Sequence, residues 1–340
     1  MAKLLLEAIR GERTARRPLW IMRQAGRYLP EYRALRARHG FKELAASAEL
    51  AAEVTLMPVR RFPLDAAIVF ADIMSPLPAL GVELDFDPGP VVANPIRDEA
   101  ALAALREPEP ETIAPEVMQA LRLCRAELPE TTALLGFCGA PWTLAAYLVE
   151  GRGAKDFPTL RAFAAARPEL LDRLLGRLSR LMAGYLERQA AAGADAVQIF
   201  DSWAGLLSLQ DWERLIRPHL GALLEAVGKT GVPRILFLQN APHLVEAYAS
   251  LPAEVLAVDW RVDLAALQAR YPGRSVQGNI DPAVLTAGPV PTRKAAERLL
   301  TQVAPEGHIV NLGHGILPST PLASVEALVE VVHAEGALTR

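Results

Sequence analysis

Short apolar runs alternate with longer segments of helical period along the chain. Most of the runs are apolar at successive positions, which is typical of parallel strands that are covered on both faces. The eight predicted strands are Leu19–Met22, Ala66–Ala71, Ala133–Phe137, Ala196–Phe200, Ile235–Leu238, Val255–Val258, Ser275–Gln277 and Ile309–Leu312.

The segments between these runs carry signals for the start and the end of helices. Pro168 fits a first helical position, leucines follow it at helical spacing, and Gly193 is a natural stop. Ser208 and Asp211 have the spacing of a capping box. The helix that follows them is expected to kink at Pro218.

Eight strands that each lead into a helix predict a single (β/α)8 barrel domain over residues 1–340. Val82–Phe86 and Val91–Ala93 flank a DPGP turn, which predicts a small β-hairpin inserted after the second strand. An open, doubly wound sheet is the alternative, and it is disfavoured because no GxGxxG follows the first strand. Residues 1–17 are expected to form a solvated, mobile N-terminal arm.

Composition narrows the classes of partner. The 340 residues include 36 basic and 39 acidic side chains, so binding to nucleic acid or to a membrane surface is not expected. No apolar run approaches the roughly 18 residues of a membrane span, and the N-terminal leucines are too few for a signal peptide. The two cysteines, Cys124 and Cys138, form no CxxC pair. We therefore expect a reducing, cytoplasmic setting.

Polar residues follow the predicted strands, at the end of such a barrel where active sites lie. Asp72 comes directly after a buried run. A carboxylate at such a position needs a hydrogen-bonding or charged partner, or it has a functional role. His314 lies between two glycines, which indicates a close approach of the backbone to another group. The candidates at the strand ends include Arg23, Gln24, Ala25, Gly26, Arg27, Asp72, Tyr147, Ser202 and His314.

Several candidates also have a purely structural interpretation. Arg23 and Arg27 are four residues apart and could form a surface ion-pair face. Tyr147 could be a core aromatic with a satisfied hydroxyl, and Ser202 could cap a helix. Cys138 is expected to be a buried, inert thiol, because no histidine lies near it in sequence to activate it.

Four segments resemble one known family. WIMRQAGRYLPEYR, from Trp20 to Arg33, is similar to the N-terminal signature of the uroporphyrinogen decarboxylases. GFCGAPWTLAAYLVEG, from Gly136 to Gly151, resembles the second signature of that family, and IFDSWAG and NLGHGILPSTP also match its patterns. The resemblance extends from the first predicted strand to the last helix.

The resemblance implies a (β/α)8 barrel that acts as a homodimer, without metal or cofactor. It implies decarboxylation of the four acetate side chains of uroporphyrinogen III to coproporphyrinogen III in haem biosynthesis. Asp72 would stabilise the transition state, and Arg23 or Arg27 would be a candidate proton donor. The residues that would bind substrate are Arg23, Gln24, Ala25, Gly26, Arg27, Asp72, Tyr147, Ser202 and His314.

Two other functions are compatible with parts of the pattern. A zinc-dependent methyltransferase would need His and Cys ligands together, and the two cysteines here are not near a histidine in sequence. A non-catalytic tetrapyrrole carrier would keep the arginines but would not need an acid aimed at the macrocycle. Asp72 therefore favours the decarboxylase.

Overall fold

Seven parallel strands form one curled sheet in the computed structural model, which describes residues 3–86 and 89–335. Within this sheet each strand pairs with the next one along the chain, as in a succession of strand–helix–strand units. Seven of the eight predicted strands fall on these observed strands. All strands in chain order are β1 (Ala66–Ile68), β2 (Leu84–Asp85), β3 (Val91–Val92), β4 (Ala133–Gly139), β5 (Ala196–Asp201), β6 (Arg234–Leu238), β7 (Val255–Val258), β8 (Ser275–Ile280) and β9 (His308–Leu312).

The segment before β1 lies between the two edges of the curled sheet. Leu19 makes a parallel bridge with Val310 of β9, and Val310 N–H donates to Pro18 O at 2.9 Å. On the other side, Asp65 N–H donates to Leu19 O at 2.9 Å, and Leu19 N–H donates to the Asp65 carboxylate at 2.7 Å. The predicted strand Leu19–Met22 is a single bridge, because Ile21 N–H and Met22 N–H donate to the side chains of Gln24 and Asn311 instead of to backbone carbonyls of a neighbouring strand.

Helices follow the strands of the curled sheet along the chain. Pro168 opens the longest helix in the described chain, as predicted, and Gly193 follows its end with a left-handed φ of 107°. The helix after Ser208 breaks at Ile216, beside the predicted kink at Pro218. Within the described residues, no helix is long and apolar enough to cross a membrane. The helices are α1 (Leu4–Ile9), α2 (Pro30–Arg38), α3 (Phe41–Ala46), α4 (Ala48–Arg61), α5 (Glu99–Ala103), α6 (Pro115–Glu127), α7 (Pro141–Glu150), α8 (Pro158–Ala166), α9 (Pro168–Ala191), α10 (Leu209–Leu215), α11 (Arg217–Gly228), α12 (Val245–Ala249), α13 (Leu264–Arg270), α14 (Pro282–Thr286), α15 (Pro289–Gln302) and α16 (Leu322–Glu335).

The two shortest strands form a separate sheet. Strands β2 and β3 pair antiparallel, with Leu84 opposite Val92, in the segments where the hairpin is predicted. The turn residues 87 and 88 lie outside the described part of the chain. Val92 N–H donates to Gly151 O at 2.7 Å, so this pair is fastened to the end of α7.

Polar side chains cross the inside of the curled sheet. Trp20 Nε1–H donates to Gln277 Oε1 at 2.9 Å, and Gln277 Nε2–H donates to Gln198 Oε1 at 3.0 Å. Gln198 lies in β5 and Gln277 in β8, which are not neighbours in the sheet, so their contact spans its concave side. All three side chains are buried. Buried amides are costly unless they are hydrogen-bonded, so these bonds favour one arrangement of the three segments.

The N-terminal segment is packed at both ends of its described part, so a solvated arm does not describe residues 5–9 and 17, while residues 10–13 are exposed. Leu5 of α1 is completely buried. Arg17 is only 3% exposed, donates to Leu300 O at 2.8 Å and pairs with the Glu335 carboxylate at 3.2 Å. The four arginines of the segment suggest solvation, but a guanidinium with bonded neighbours can be buried.

His308 begins β9 and is completely buried. Its Nε2–H donates to Gly278 O at 3.0 Å. Burial lowers the pKa of His308 to about 3, the hydrogen bond to Gly278 opposes this shift, and the charge of Arg17 adds to it. The native imidazole therefore stays neutral at pH values where an unfolded chain protonates its histidines.

Replacement of His308 by Gln is expected to weaken the dependence of stability on pH. Gln keeps an N–H donor for Gly278 but does not titrate. In the wild type, stability falls as the pH falls from about 6.5 towards 3, because only the unfolded state takes up this proton. This one group contributes a slope of up to about 1.4 kcal/mol per pH unit. Urea unfolding of both proteins at pH 7, 6 and 5 measures the slopes, and identical slopes would contradict a neutral buried His308.

Candidate active site

Side chains from five separate segments meet beyond the carboxyl ends of the strands. Arg23 follows the Leu19 bridge, and the other segments follow β1, β4, β5 and β9. Burial is the largest cause of the pKa shifts of Asp72, Tyr147 and His314. The positive charge of Arg23 lowers the pKa of all three. The Arg23 guanidinium therefore lies within electrostatic reach of all three. We call this region the mouth, defined by Arg23, Asp72, Tyr147, Ser202 and His314.

Arg23 is held at the mouth by its backbone conformation and by a glycine of another loop. Its φ of 61° lies in the left-handed region, which is uncommon for a residue with a side chain and is found at functional sites. Ile316 N–H donates to Met22 O at 2.9 Å, which ties the loop after β9 to this turn. A Cβ on Gly315 would lie 2.3 Å from Arg23 Cδ. The Arg23 side chain therefore occupies the space that a side chain at position 315 would fill.

Gln24 lies behind the mouth instead of in it. Its side chain is completely buried. Its Nε2–H donates to Ala66 O at 3.0 Å, and its Oε1 accepts Ile21 N–H at 3.0 Å. Both ends of the amide thus bond to the backbone, and the side chain joins the RQAGR turn to β1. The structure thus places Gln24 behind the turn that carries Arg23, where both ends of its amide are bonded.

The rest of this turn is open to solvent. Ala25 and Gly26 are partly exposed and Arg27 is exposed. A Cβ on Gly26 would lie 2.9 Å from Arg23 O, so the turn is tight at that point. Arg27 is therefore accessible to a charged ligand that approaches the mouth.

Asp72 is fixed by a small turn of its own. Met74 N–H donates to Asp72 Oδ1 at 2.8 Å, and Ser75 N–H donates to Asp72 O at 3.0 Å. Burial raises the pKa of Asp72, while the Met74 N–H and the charge of Arg23 oppose the shift. The half-buried carboxylate thus lies within electrostatic reach of the Arg23 guanidinium.

Tyr147 belongs to a wall of aromatic rings at the mouth. Its ring centroid lies 5.6 Å from that of Phe157 and 6.5 Å from that of Trp203. Trp203 Nε1–H donates to Tyr147 OH at 3.3 Å. Burial raises the pKa of Tyr147, and the negative charge of Asp72 adds to the rise. The hydroxyl is therefore a neutral hydrogen-bonding group close to Asp72.

Ser202 begins the turn after β5. Its N–H donates to Thr143 Oγ1 of α7 at 2.9 Å. The side chain does not cap a helix, since the short helical turn at Ala204–Leu206 has no side-chain cap and Ser208 caps α10. The half-buried Ser202 is thus available at the mouth beside the aromatic wall.

His314 is a neutral imidazole at the mouth. Burial lowers its pKa to about 4, and the charges of Arg23 and Arg261 add to the shift while Asp259 opposes it. Its ring centroid lies 6.3 Å from that of Phe237. At neutral pH His314 can therefore donate or accept a hydrogen bond, but it carries no charge of its own.

Arg261 is a residue that sequence reasoning missed. Its guanidinium stacks 4.4 Å from the centroid of the Trp260 ring, and Nη1–H donates to the buried Asp259 carboxylate at 2.9 Å. A Cβ on Gly313 would lie 2.7 Å from Trp260 N, so the loops after β7 and β9 are in contact. The signal was available, because Arg261 directly follows the Asp-Trp pair at the end of a predicted strand.

Comparisons with known proteins show the family of the chain. The family model described as uroporphyrinogen decarboxylase (URO-D) matches residues 1–335. The chain belongs to the uroporphyrinogen decarboxylase family. Uroporphyrinogen decarboxylase of Thermus thermophilus is 44% identical over 98% of both chains. That of Trichlorobacter lovleyi is 42% identical over 98% of both chains, and that of Rhodococcus erythropolis is 45% identical over 97% of this chain and 95% of the other.

A solved structure supports the fold of this family member. A methyltransferase from Methanosarcina mazei superposes with a TM-score of 0.80 and covers 98% of this chain and 99% of its own. Its sequence identity is 21%, so the likeness concerns the fold and not the reaction.

The cysteines of this uroporphyrinogen decarboxylase family member lie away from the exposed part of the mouth. Cys124 and Cys138 are free and completely buried. Burial raises the pKa of both thiols, that of Cys124 to about 11, so neither is a ready nucleophile. Among the described residues, no three His, Cys, Asp or Glu side chains are grouped closely enough to hold a metal ion.

Replacement of Gly315 by Ala is expected to impair turnover without unfolding the protein. The added methyl group would overlap the Arg23 side chain, so the guanidinium must leave the position that it has in the mouth. We expect a fall of roughly tenfold or more in kcat/KM, since misplaced positioning groups are costly in catalysis. Gly40→Ala is the matched control, because nothing lies within 4 Å of a Cβ at that position. Equal activity of the two variants would show that Arg23 is not placed by this contact.

Proposed function

We propose that the protein decarboxylates the four acetate side chains of uroporphyrinogen III and gives coproporphyrinogen III in tetrapyrrole biosynthesis. Membership of the uroporphyrinogen decarboxylase family supports this reaction. The observation that carries the proposal is the half-buried Asp72 carboxylate. Met74 N–H donates a hydrogen bond to it, and the charge of Arg23 lowers its pKa. It combines an anionic centre with a cationic group that can bind carboxylates.

Decarboxylation requires somewhere for a pair of electrons to go. Protonation of a pyrrole ring carbon creates a cationic, azafulvenium-like ring. The bond between the methylene carbon and the carboxylate then breaks, its electrons flow into the ring, and CO2 leaves. A proton added to the methylene carbon forms the methyl group, and loss of the ring proton restores the pyrrole. Each acetate takes up one proton overall, and the electron sink that many enzymes obtain from a cofactor is in the substrate.

Asp72 is suited to the cationic stage of this reaction. An ionised carboxylate accepts hydrogen bonds from the pyrrole N–H groups and stabilises the ring cation as it forms. The hydrogen bond from Met74 N–H fixes Oδ1 in advance, so little reorganisation is needed when the charge develops. Met74 N–H and Arg23 both favour the ionised form against the effect of burial.

The other residues of the mouth are assigned to the carboxylates of the substrate. Arg23 and Arg27 present planar guanidinium groups that bind carboxylates with two hydrogen bonds, and one of the two delivers the proton. Tyr147, Ser202 and the neutral His314 hold side-chain carboxylates by single hydrogen bonds. Ala25 and Gly26 line the turn between the two arginines, and Gln24 supports it from behind.

We propose the same assembly for this chain as the family resemblance implies. The Leu19 bridge would be the eighth position of a closed (β/α)8 barrel, and β2–β3 a hairpin inserted in a single domain of 340 residues. The enzyme would act as a homodimer in the cytoplasm, without metal or cofactor. Sedimentation of the purified protein measures the oligomeric state.

The proposed reaction predicts turnover by the purified protein alone. Anaerobic incubation with uroporphyrinogen III should give coproporphyrinogen III, measured by chromatography after oxidation of the products. Exhaustive treatment with EDTA should leave the rate unchanged, because the substrate supplies the electron sink. A protein that binds uroporphyrinogen but releases no CO2 would instead be a carrier.

Asp72→Asn is expected to lower kcat by about 10²–10³, the typical cost of removing an electrostatic stabiliser of the transition state. Asn keeps the size and one acceptor oxygen but loses the charge. Asp72→Glu keeps the charge and displaces it, so it should lose activity yet retain more than Asn. Asp85→Asn, an exposed acid in β2, is the control for a simple change in net charge. Wild-type kcat in Asp72→Asn would contradict the cation-stabilising role.

A further inference from the structure

Another buried acid lies close to the mouth without being exposed at it. Asp201 is the last residue of β5 and is completely buried. Thr143 Oγ1–H donates to Asp201 Oδ1 at 2.9 Å, and the Tyr248 hydroxyl donates to Oδ2. A buried carboxylate is costly unless hydrogen bonds compensate it. These bonds connect α7 and α12 to the end of β5.

The same network reaches two residues of the mouth. Thr143 Oγ1, which donates to Asp201, also accepts Ser202 N–H at 2.9 Å. The backbone N–H of Trp203 also bonds to the Asp201 carboxylate, and the Trp203 side chain donates to Tyr147 OH at 3.3 Å. The turn that carries Ser202 and Trp203 is thus fixed from below by one carboxylate.

We infer that Asp201, clamped by Tyr248 and Thr143, is a positioning residue that presents Ser202 and Tyr147 to the carboxylates of the substrate. The inference rests on the proposed function, and it adds residues that contact no substrate themselves. When Asp201 is ionised it only accepts hydrogen bonds, so every donor of the network can point towards it. When it is protonated, one of these donors loses its acceptor and the turn loosens.

The protonation of Asp201 is within reach of ordinary assay conditions. Burial raises its pKa to about 6, and the hydrogen bonds from Tyr248, Thr143 and the backbone of Trp203 and Ala204 oppose the rise. Tyr248 is the titratable side chain that faces it from α12, and Thr143 faces it from α7. Removal of the Tyr248 hydroxyl should therefore raise the pKa of Asp201 further.

Tyr248→Phe tests the inference with little change in packing. Its ring lies 4.9 Å from that of Trp212, and Phe can keep that contact. Tyr185→Phe is the matched control, because the buried Tyr185 hydroxyl has no hydrogen-bond partner in the described structure. In turnover of uroporphyrinogen, Tyr248→Phe should lower kcat/KM roughly tenfold, mainly through KM, since it loses a hydrogen bond to a charged group. The acid limb of the pH profile of kcat/KM should shift to higher pH by about one unit in this variant.

A double-mutant cycle separates positioning from general destabilisation. If Tyr248 acts through Ser202, its effect on kcat/KM should shrink in a Ser202→Ala background, because linked residues are not additive. Tyr185→Phe should add nothing in either background. A Tyr248→Phe variant that matches Tyr185→Phe in KM, kcat and pH profile would overturn the inference, and so would strict additivity with Ser202→Ala.

Amide hydrogen exchange tests the network without any turnover. The N–H of Ser202 is bonded to Thr143 Oγ1, so the peptide that contains residues 199–206 should exchange faster in Tyr248→Phe than in the wild type or in Tyr185→Phe. Unchanged exchange would refute the positioning role even if activity fell. Failure of the wild type to decarboxylate uroporphyrinogen would refute the proposed function, while this exchange measurement would still decide whether Asp201 fixes the turn.

Discussion

The backbone of Leu19 holds the two edges of the curled sheet together, and the arrangement of the mouth depends on it. On one side Leu19 is bridged to Val310, and on the other it exchanges hydrogen bonds with Asp65. Arg23 follows this contact by four residues, so its guanidinium reaches both Asp72 and His314. If the edges parted, the cation of the mouth would leave the acid and the imidazole with which it interacts.

The charges of the mouth are balanced so that each group keeps the protonation state that the proposed reaction requires. Burial alone would favour a neutral Asp72, and Arg23 with Met74 N–H counteracts it. The same Arg23 acts in the same direction as burial on His314 and keeps its imidazole neutral. One cation thus favours an ionised acid and a neutral base, because a positive charge lowers the pKa of both. In the proposed reaction, a substrate with many carboxylates would meet cationic and neutral donors around the half-buried Asp72.

Local signals in the sequence predicted seven of the strands and the strand ends at which the residues of the mouth lie. Apolar runs mark buried strands, and the polar residue that ends each run marks the mouth, as at Asp72 and His314. Long-range contacts were out of reach. Gln24, Tyr248 and Arg17 find their partners 42, 47 and 283 residues away, and no local periodicity encodes such distances. Burial of Arg17 was missed for this reason, as was the support that Asp201 gives to its turn.

The contact between Leu19 and Val310 also has a consequence for the synthesis of the protein. The ribosome releases Leu19 long before Val310, so the strands that lie between them in sequence must all emerge before this bond can form. Until then the outer side of the Leu19 segment lacks β9, and unpaired strand edges are prone to aggregation. Nascent chains stalled before residue 308 therefore cannot have an assembled mouth, and their open edge makes them candidates for chaperone binding.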